Sequence, residues 1–92
     1  MTKARKITRT RIVLGTGFAE LVVWQLPSPI HGSTHAYKYR LAYVVSGVCR
    51  VRYDNERNKG DHRHLDGTES PYSFETLEQL LTDFWQDVNE RR

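Results

Sequence analysis

Ninety-two residues supply one modest hydrophobic core and are too few for two, which confines any chemistry to one shallow site or surface. No apolar run approaches a membrane span, the basic start MTKARKITRTR lacks the apolar centre of a signal peptide, and the single Cys49 can form no disulfide within the chain. The net charge of +3 conceals a split: residues 1–63 carry twelve bases against four acids, hence +8, and residues 64–92 carry two arginines against seven acids, hence −5.

These numbers lead to an expectation of a soluble, cytoplasmic, single-domain protein spanning 1–92, without disulfides and with no membrane contact. A basic body followed by an acidic element suits an anionic ligand, nucleic acid foremost, while acids that merely solvate one helix face fit equally well. Ten of the fourteen bases are arginine, whose planar forks match phosphate oxygens and stack on bases.

In chain order, KITRTRIVL (residues 6–14) and FAELVVWQL (residues 18–26) flank Gly15-Thr16-Gly17 and predict a β-hairpin. Pro27 and Pro29 end the second strand and open the loop PSPIHGSTH, where His31 reads as an exposed loop residue. A second hairpin is predicted from a third strand over 36–45 and a fourth over 48–53, joined by Ser46-Gly47.

A regular two-residue loop there would set Val45 opposite Val48, Tyr43 opposite Arg50, Leu41 opposite Arg52 and Tyr39 opposite Asp54. Ala42, Val44, Cys49 and Val51 then form the face for the core, with Cys49 a small buried residue. Tyr39, Leu41, Tyr43 and Val45 share the other face with Arg50, Arg52 and Asp54. Tyrosine beside arginine suits single-stranded RNA or a protein partner, and ordinary Tyr-Arg packing produces the same pattern.

DHRHLD (residues 61–66) fits a short fifth strand, with Gly67 and Pro71 marking a turn. In SFETLEQLLTDFWQDVNERR, Phe74, Leu77, Leu80, Leu81, Phe84 and Val88 recur at helical spacing. Ser73 and Thr76 compete as N-cap, the latter with Gln79 in capping-box position. The expected fold is α+β, an antiparallel sheet of about five strands covered on one face by a C-terminal amphipathic helix.

The chemistry concentrates in YDNERNKGDHRH (residues 53–64). On a strand His62 and His64 share a face, with Asp61 and Arg63 on the other. Two imidazoles beside guanidinium groups suit metal-free RNA cleavage, one accepting the 2′-OH proton and the other protonating the leaving 5′-oxygen. Arg40, Lys38, Arg57, Lys59 and Arg63 are candidates for holding charge, Asp54 or Asp61 for orienting an imidazole, and Tyr39 or Tyr43 for stacking a base. The hairpin register brings His35, Tyr37, Lys38, Tyr53 and Asn55 to the same end of the sheet. An exposed polar hairpin loop explains the stretch as well. His62-x-His64 followed by Glu69 resembles half of a cupin metal motif, but no histidine follows His64 and the flanking bases repel a cation, so neither metal nor cofactor is expected.

WQLPSPIHGSTHAYKYRLAYV, RYDNERNKGDHRH and the closing helix from Phe74 to Val88 resemble the TumE family, toxin components of type II toxin-antitoxin modules. Asn58 stands where the family usually has Gly, and Thr34 where it has Pro. The resemblance implies a small growth-inhibiting toxin neutralised by a cognate antitoxin, commonly a helix-turn-helix protein, with oligomers arising through that complex. It agrees with the residues on where the site lies. Two functions follow: a ribonuclease toxin acting on RNA, ribosome-associated or free, and a non-catalytic module that inhibits by occupying RNA, the ribosome or a protein.

Overall fold

A computed structural model describes residues 3–92; Met1 and Thr2, which the expected domain includes, lie outside the described residues. Six strands run antiparallel in chain order, β1 (Arg5–Leu14), β2 (Gly17–Gln25), β3 (Tyr37–Val45), β4 (Val48–Glu56), β5 (Gly60–Leu65) and β6 (Thr68–Pro71), followed by the helix α1 (Leu77–Asn89). No helix among the described residues is long and apolar enough to cross a membrane.

The α+β expectation holds, but the sheet has six strands rather than five. The added strand is β6, where Gly67 and Pro71 were read as one turn. Asp66 and Gly67 alone make the reversal, both in the left-handed region at φ 49° and 89°. Pro71 closes an edge strand, where its missing N–H interrupts no ladder. The same left-handed pair, Ser46 and Gly47, joins β3 to β4 as expected.

The decisive departure lies just beyond that turn. Val45 pairs with Val48 and Val44 with Cys49, but Tyr43 then pairs with Val51, leaving Arg50 as an extra residue on β4. This bulge shifts every later pair by one, so Leu41 faces Tyr53 and Arg40 faces Asp54. A one-residue shift exchanges faces. The expected sorting is therefore corrected: Tyr39, Leu41 and Tyr43 join Val51 and Tyr53 in the core, all at most 4 % exposed. Arg40, Ala42, Arg52 and Asp54 take the opposite face. Tyr39 and Tyr43 are thereby unable to stack a base, and Cys49, at the projecting hairpin tip, is exposed rather than buried.

The helix supplies the roof. Leu80, Phe84 and Val88, all fully buried, close over Ala19, Leu21, Val23, Leu41, Val51 and Tyr53. Each such side chain contributes about 1.5–3 kcal/mol relative to exposure. Thr76 is the N-cap, its Oγ1 accepting from Gln79 N–H at 3.0 Å, so Ser73 stays outside the helix. The side chain of Gln79 donates to Asp83 rather than reaching back to the cap.

The loop between β2 and β3 folds onto the β4–β5 turn. Leu26 N–H donates to Ala36 O at 2.7 Å to close it, and Asn58 N–H donates to His31 O at 2.7 Å to anchor it. A Cβ on Gly32 would sit 3.1 Å from the Asn58 backbone, so only glycine permits this approach. Asn58 itself has φ 65°, a left-handed conformation that asparagine tolerates, and its Oδ1 accepts from His31 Nδ1.

If Arg50 is the extra residue, deleting it must leave Tyr43 opposite Val51 and Leu41 opposite Tyr53 and so keep the fold, whereas one alanine inserted after Val51 must bring Arg52 opposite Leu41 and Asp54 opposite Tyr39. Urea unfolding should stay cooperative for the deletion and lose its cooperative transition for the insertion, while Arg50→Ala, which sacrifices only the half-exposed pair with Asp66, should change little. An insertion variant unfolding like wild type would refute the role given to the register.

Candidate functional site on the open face of the sheet

The sheet divides the residues expected to form one site into two layers. HAYKYR and YDNERNKGDHRH do converge at one end of the sheet, but half of their polar side chains point under the helix. Directly opposed residues share a face, so Tyr53 with Arg63 and Asn55 with Asp61 lie on the helix side.

On that side the polar groups are consumed by structure. Asp61 Oδ2 accepts from Tyr39 OH at 2.6 Å and from His35 Nε2 at 2.8 Å. His35 Nδ1 accepts from Tyr37 N–H at 3.1 Å, which fixes the other proton on Nε2 and leaves the ring no free nitrogen. Phe74 stacks on that ring with centroids 3.7 Å apart, and Tyr37 packs against the core. Asp61 thus orients His35, and the two catalytic imidazole candidates, His62 and His64, lie on the other face of β5. Asn55, fully buried, accepts from Tyr39 N–H at 3.0 Å and donates to Tyr37 O at 2.7 Å, extending the β3–β4 pairing by side chain. Tyr53 OH donates to Asp87 on the helix, and Arg63 lies 3.9 Å from the same carboxylate. This cluster ties β4 and β5 to α1.

The other face carries no helix. There Asp54 pairs with His62 and Arg52 with His64 across the β4–β5 ladder. Following the register through all six strands gives three rows: Lys6, Trp24, Lys38; then Arg9, Val22, Arg40, Asp54, His62, Pro71; then Arg11, Glu20, Ala42, Arg52, His64, Glu69. A groove of about 430 Å³ lies among Trp24, Lys38, Arg40, Arg52, Asp54 and Glu56.

Arg52 is the hub. Its Nε stands 3.3 Å from Asp54 Oδ2, off the line of a good hydrogen bond, and its NH2 lies 2.8 Å from His64 Nε2. A guanidinium only donates, so His64 Nε2 is the acceptor in that contact. Glu69 sits 3.4 Å from the same Nε2 and pairs with Lys59 at 2.6 Å. Lys59 precedes Gly60 and Glu69 faces His64, so their ion pair spans the row of His62 between them. His62 is only 8 % exposed on this face. The Lys59 ammonium holds Glu69 below the usual carboxylate range, and Glu69 in turn raises Lys59.

His62 Nδ1 is buried without a hydrogen-bond partner among the described residues. Such a nitrogen costs about 1–3 kcal/mol. Lys38 Nζ donates to Asn55 O at the groove's end. Arg57 is exposed on the β4–β5 turn, away from this cluster. Among the described residues no three His, Cys, Asp or Glu side chains come together as a metal site.

Two contributors went unread in the sequence. Arg52 was assigned to a mixed tyrosine face because the bulge was not foreseen, and Trp24 was taken only as a strand former. The alternation Val22, Trp24 against Leu21, Val23 marks Trp24 as facing away from whichever side is core, and that signal was present.

A family model described as Toxin TumE matches residues 1–92, the whole chain. No curated protein and no solved structure matches the chain.

The buried tyrosines give the fold an alkaline limit. Burial first, and then the bond to Asp61, push the Tyr39 hydroxyl far above its ordinary 10.0. Burial, then Asp87 and Asp83 respectively, raise Tyr53 and Tyr72 likewise. Above pH 10 the unfolded chain ionises these groups while the folded chain keeps them protonated, so stability falls as pH rises. Urea midpoints measured from pH 8 to pH 11 should decline, and Tyr39→Phe, though less stable at pH 8, should show a shallower decline. An unchanged slope in that variant would contradict the assignment.

Proposed function

The chain belongs to the TumE toxin family, and from that premise we propose that it arrests growth by cleaving RNA without a metal, using His62 and His64 on the open face of the sheet. The observation that carries this reading is the cluster itself: two imidazoles two residues apart on one face, with Arg52 between Asp54 and His64, beside a groove lined by Lys38 and Arg40. Side chains two apart on a strand stand about 7 Å from each other, a span that a phosphodiester fits between.

In the proposed reaction a phosphate enters the groove and draws the Arg52 guanidinium from His64 Nε2. The freed lone pair takes the proton of the 2′-OH. The 2′-oxygen attacks phosphorus, Arg52 and Arg40 hold the charge of the phosphorane, and the bond to the 5′-oxygen breaks as His62 protonates it. The products are a 2′,3′-cyclic phosphate and a 5′-hydroxyl. Asp54, across the ladder from His62, supplies the counter-charge to its imidazolium. Asp61 and His35 act at a distance, holding the loop against β5 and so setting the groove's end.

A toxin calls for a neutralising antitoxin, and the cytoplasm, where RNA and such a partner are found, is the proposed location. A helix-turn-helix antitoxin, and assembly of oligomers through it, belong to the same proposal. One observation favours the second reading, inhibition by occupancy: Lys6, Arg9, Arg11, Lys38 and Arg40 form a basic half-face on β1 to β3 that lies apart from the histidines. That half-face is sufficient for binding alone.

End-mapping of cellular RNA after induction separates the two. Wild type should generate new 5′-hydroxyl ends, and His62→Ala and His64→Ala should each reduce them by about 100- to 10,000-fold while keeping the fold and antitoxin binding. EDTA should leave cleavage unchanged. Full toxicity in both variants, or arrest without new ends, would reject histidine catalysis, and arrest without ends would favour occupancy.

A further inference from the structure

The open face extends well beyond the histidines, and its far end has its own composition. Lys6 on β1, Trp24 on β2 and Lys38 on β3 are direct cross-strand neighbours, so a lysine flanks the tryptophan on each side, the Lys38 ammonium reaching on to Asn55 O. Trp85 packs against the hydrophobic core, whereas Trp24 does not; it is half-buried and lines the groove that leads to Arg40, Arg52 and Asp54. In the adjoining rows Arg9 and Arg40 flank Val22, and Arg11 lies over the Phe18 ring at 3.8 Å. Glu20, 3.8 Å from Arg40, is the one acid facing out from β1 to β3.

From this arrangement we infer that Trp24 is a base-stacking subsite and that the ligand of the open face is single-stranded RNA, laid across the strands from β1 toward β5. The inference rests on the nucleic-acid reading above and adds the substrate's form and its path. An aromatic face between two cations is the combination that holds a nucleotide: the ring takes the base and the ammonium groups take the phosphates on either side. Every base has such a face, so the subsite tolerates sequence. A duplex is excluded, because its bases are stacked on each other and cannot reach an indole seated in a sheet.

Distance gives the subsite a second role. Three strand spacings and one row separate Trp24 from His62, about 16 Å in all. That exceeds one nucleotide, so the stacked base belongs to a residue beyond the scissile phosphate, and Arg40 lies on the way. Trp24 therefore positions the strand without touching the reacting atoms. A partner protein with an acidic surface would satisfy the cations but would leave the indole unused.

The two tryptophans allow a direct test, since one lies on each layer of the protein. The probe is a short single-stranded RNA of mixed sequence with every 2′-oxygen methylated, which has no nucleophile, compared with the same strand in a duplex. In Trp85→Phe, where Trp24 is the reporter, the single strand should quench fluorescence and the duplex should not. In Trp24→Phe, where Trp85 reports, neither should. Trp24→Ala should weaken binding of the single strand roughly 5- to 150-fold, and Trp24→Phe should retain most of it. Trp24 fluorescence unmoved at saturating single strand, or equal quenching by the duplex, would overturn the subsite. Failure of the cleavage chemistry looks different: Trp24 would still be quenched, and unmethylated RNA would remain intact in the same mixture.

Discussion

A single extra residue on β4 decides which side chains meet the helix and which meet solvent. Because strands alternate with a period of two, the bulge at Arg50 sends Tyr39, Leu41, Tyr43, Val51 and Tyr53 to the core together, and Arg40, Arg52 and Asp54 to the other side. The β4–β5 ladder then carries the consequence onward, so that His62 and His64 follow Asp54 and Arg52. Without the bulge, tyrosine would compete with arginine for the surface and the helix would have to cover charge. Core and candidate site are two results of one register.

The charge split of the sequence acquires a spatial meaning in this frame. Most acids of residues 64–92 belong to α1 and its approach, and two of them, Asp87 and Asp83, accept from Tyr53 and Tyr72 beneath or beside the helix. Lys6, Arg9, Arg11, Lys38 and Arg40 lie on the open face, where a single acid from β2 interrupts them. One layer thus holds the fold together, and the other is the one proposed to receive an anion. On the helix side Arg63 lies 3.9 Å from Asp87, and Arg91 bridges Asp66 and the helix end.

Much of this was legible in the residues. Ser46-Gly47 placed the second hairpin, the spacing of Leu77, Leu80, Leu81, Phe84 and Val88 placed the helix, and His62-x-His64 shared a face because a period of two does not depend on register. What escaped has physical causes. A bulge leaves no local mark, since Arg50 suits a strand as well as Arg52 does. The sixth strand escaped because Pro71 is costly in a central strand but harmless at the end of an edge strand. Asp61 looked catalytic and His35 looked part of the substrate site because composition cannot tell a polar pair that is exposed from one sealed under Phe74. Arg52 and Trp24 escaped because their value depends on the face they occupy.

The account stands on the claim that the helix-free face is the functional one. Side-chain NMR of the labelled protein during titration with methylated single-stranded RNA addresses it residue by residue. The imidazole signals of His62 and His64 and the indole signal of Trp24 should shift together and saturate at one concentration, while those of His35 and Trp85 stay in place. Shifts confined to His35, Trp85 and the helix methyl groups would contradict it.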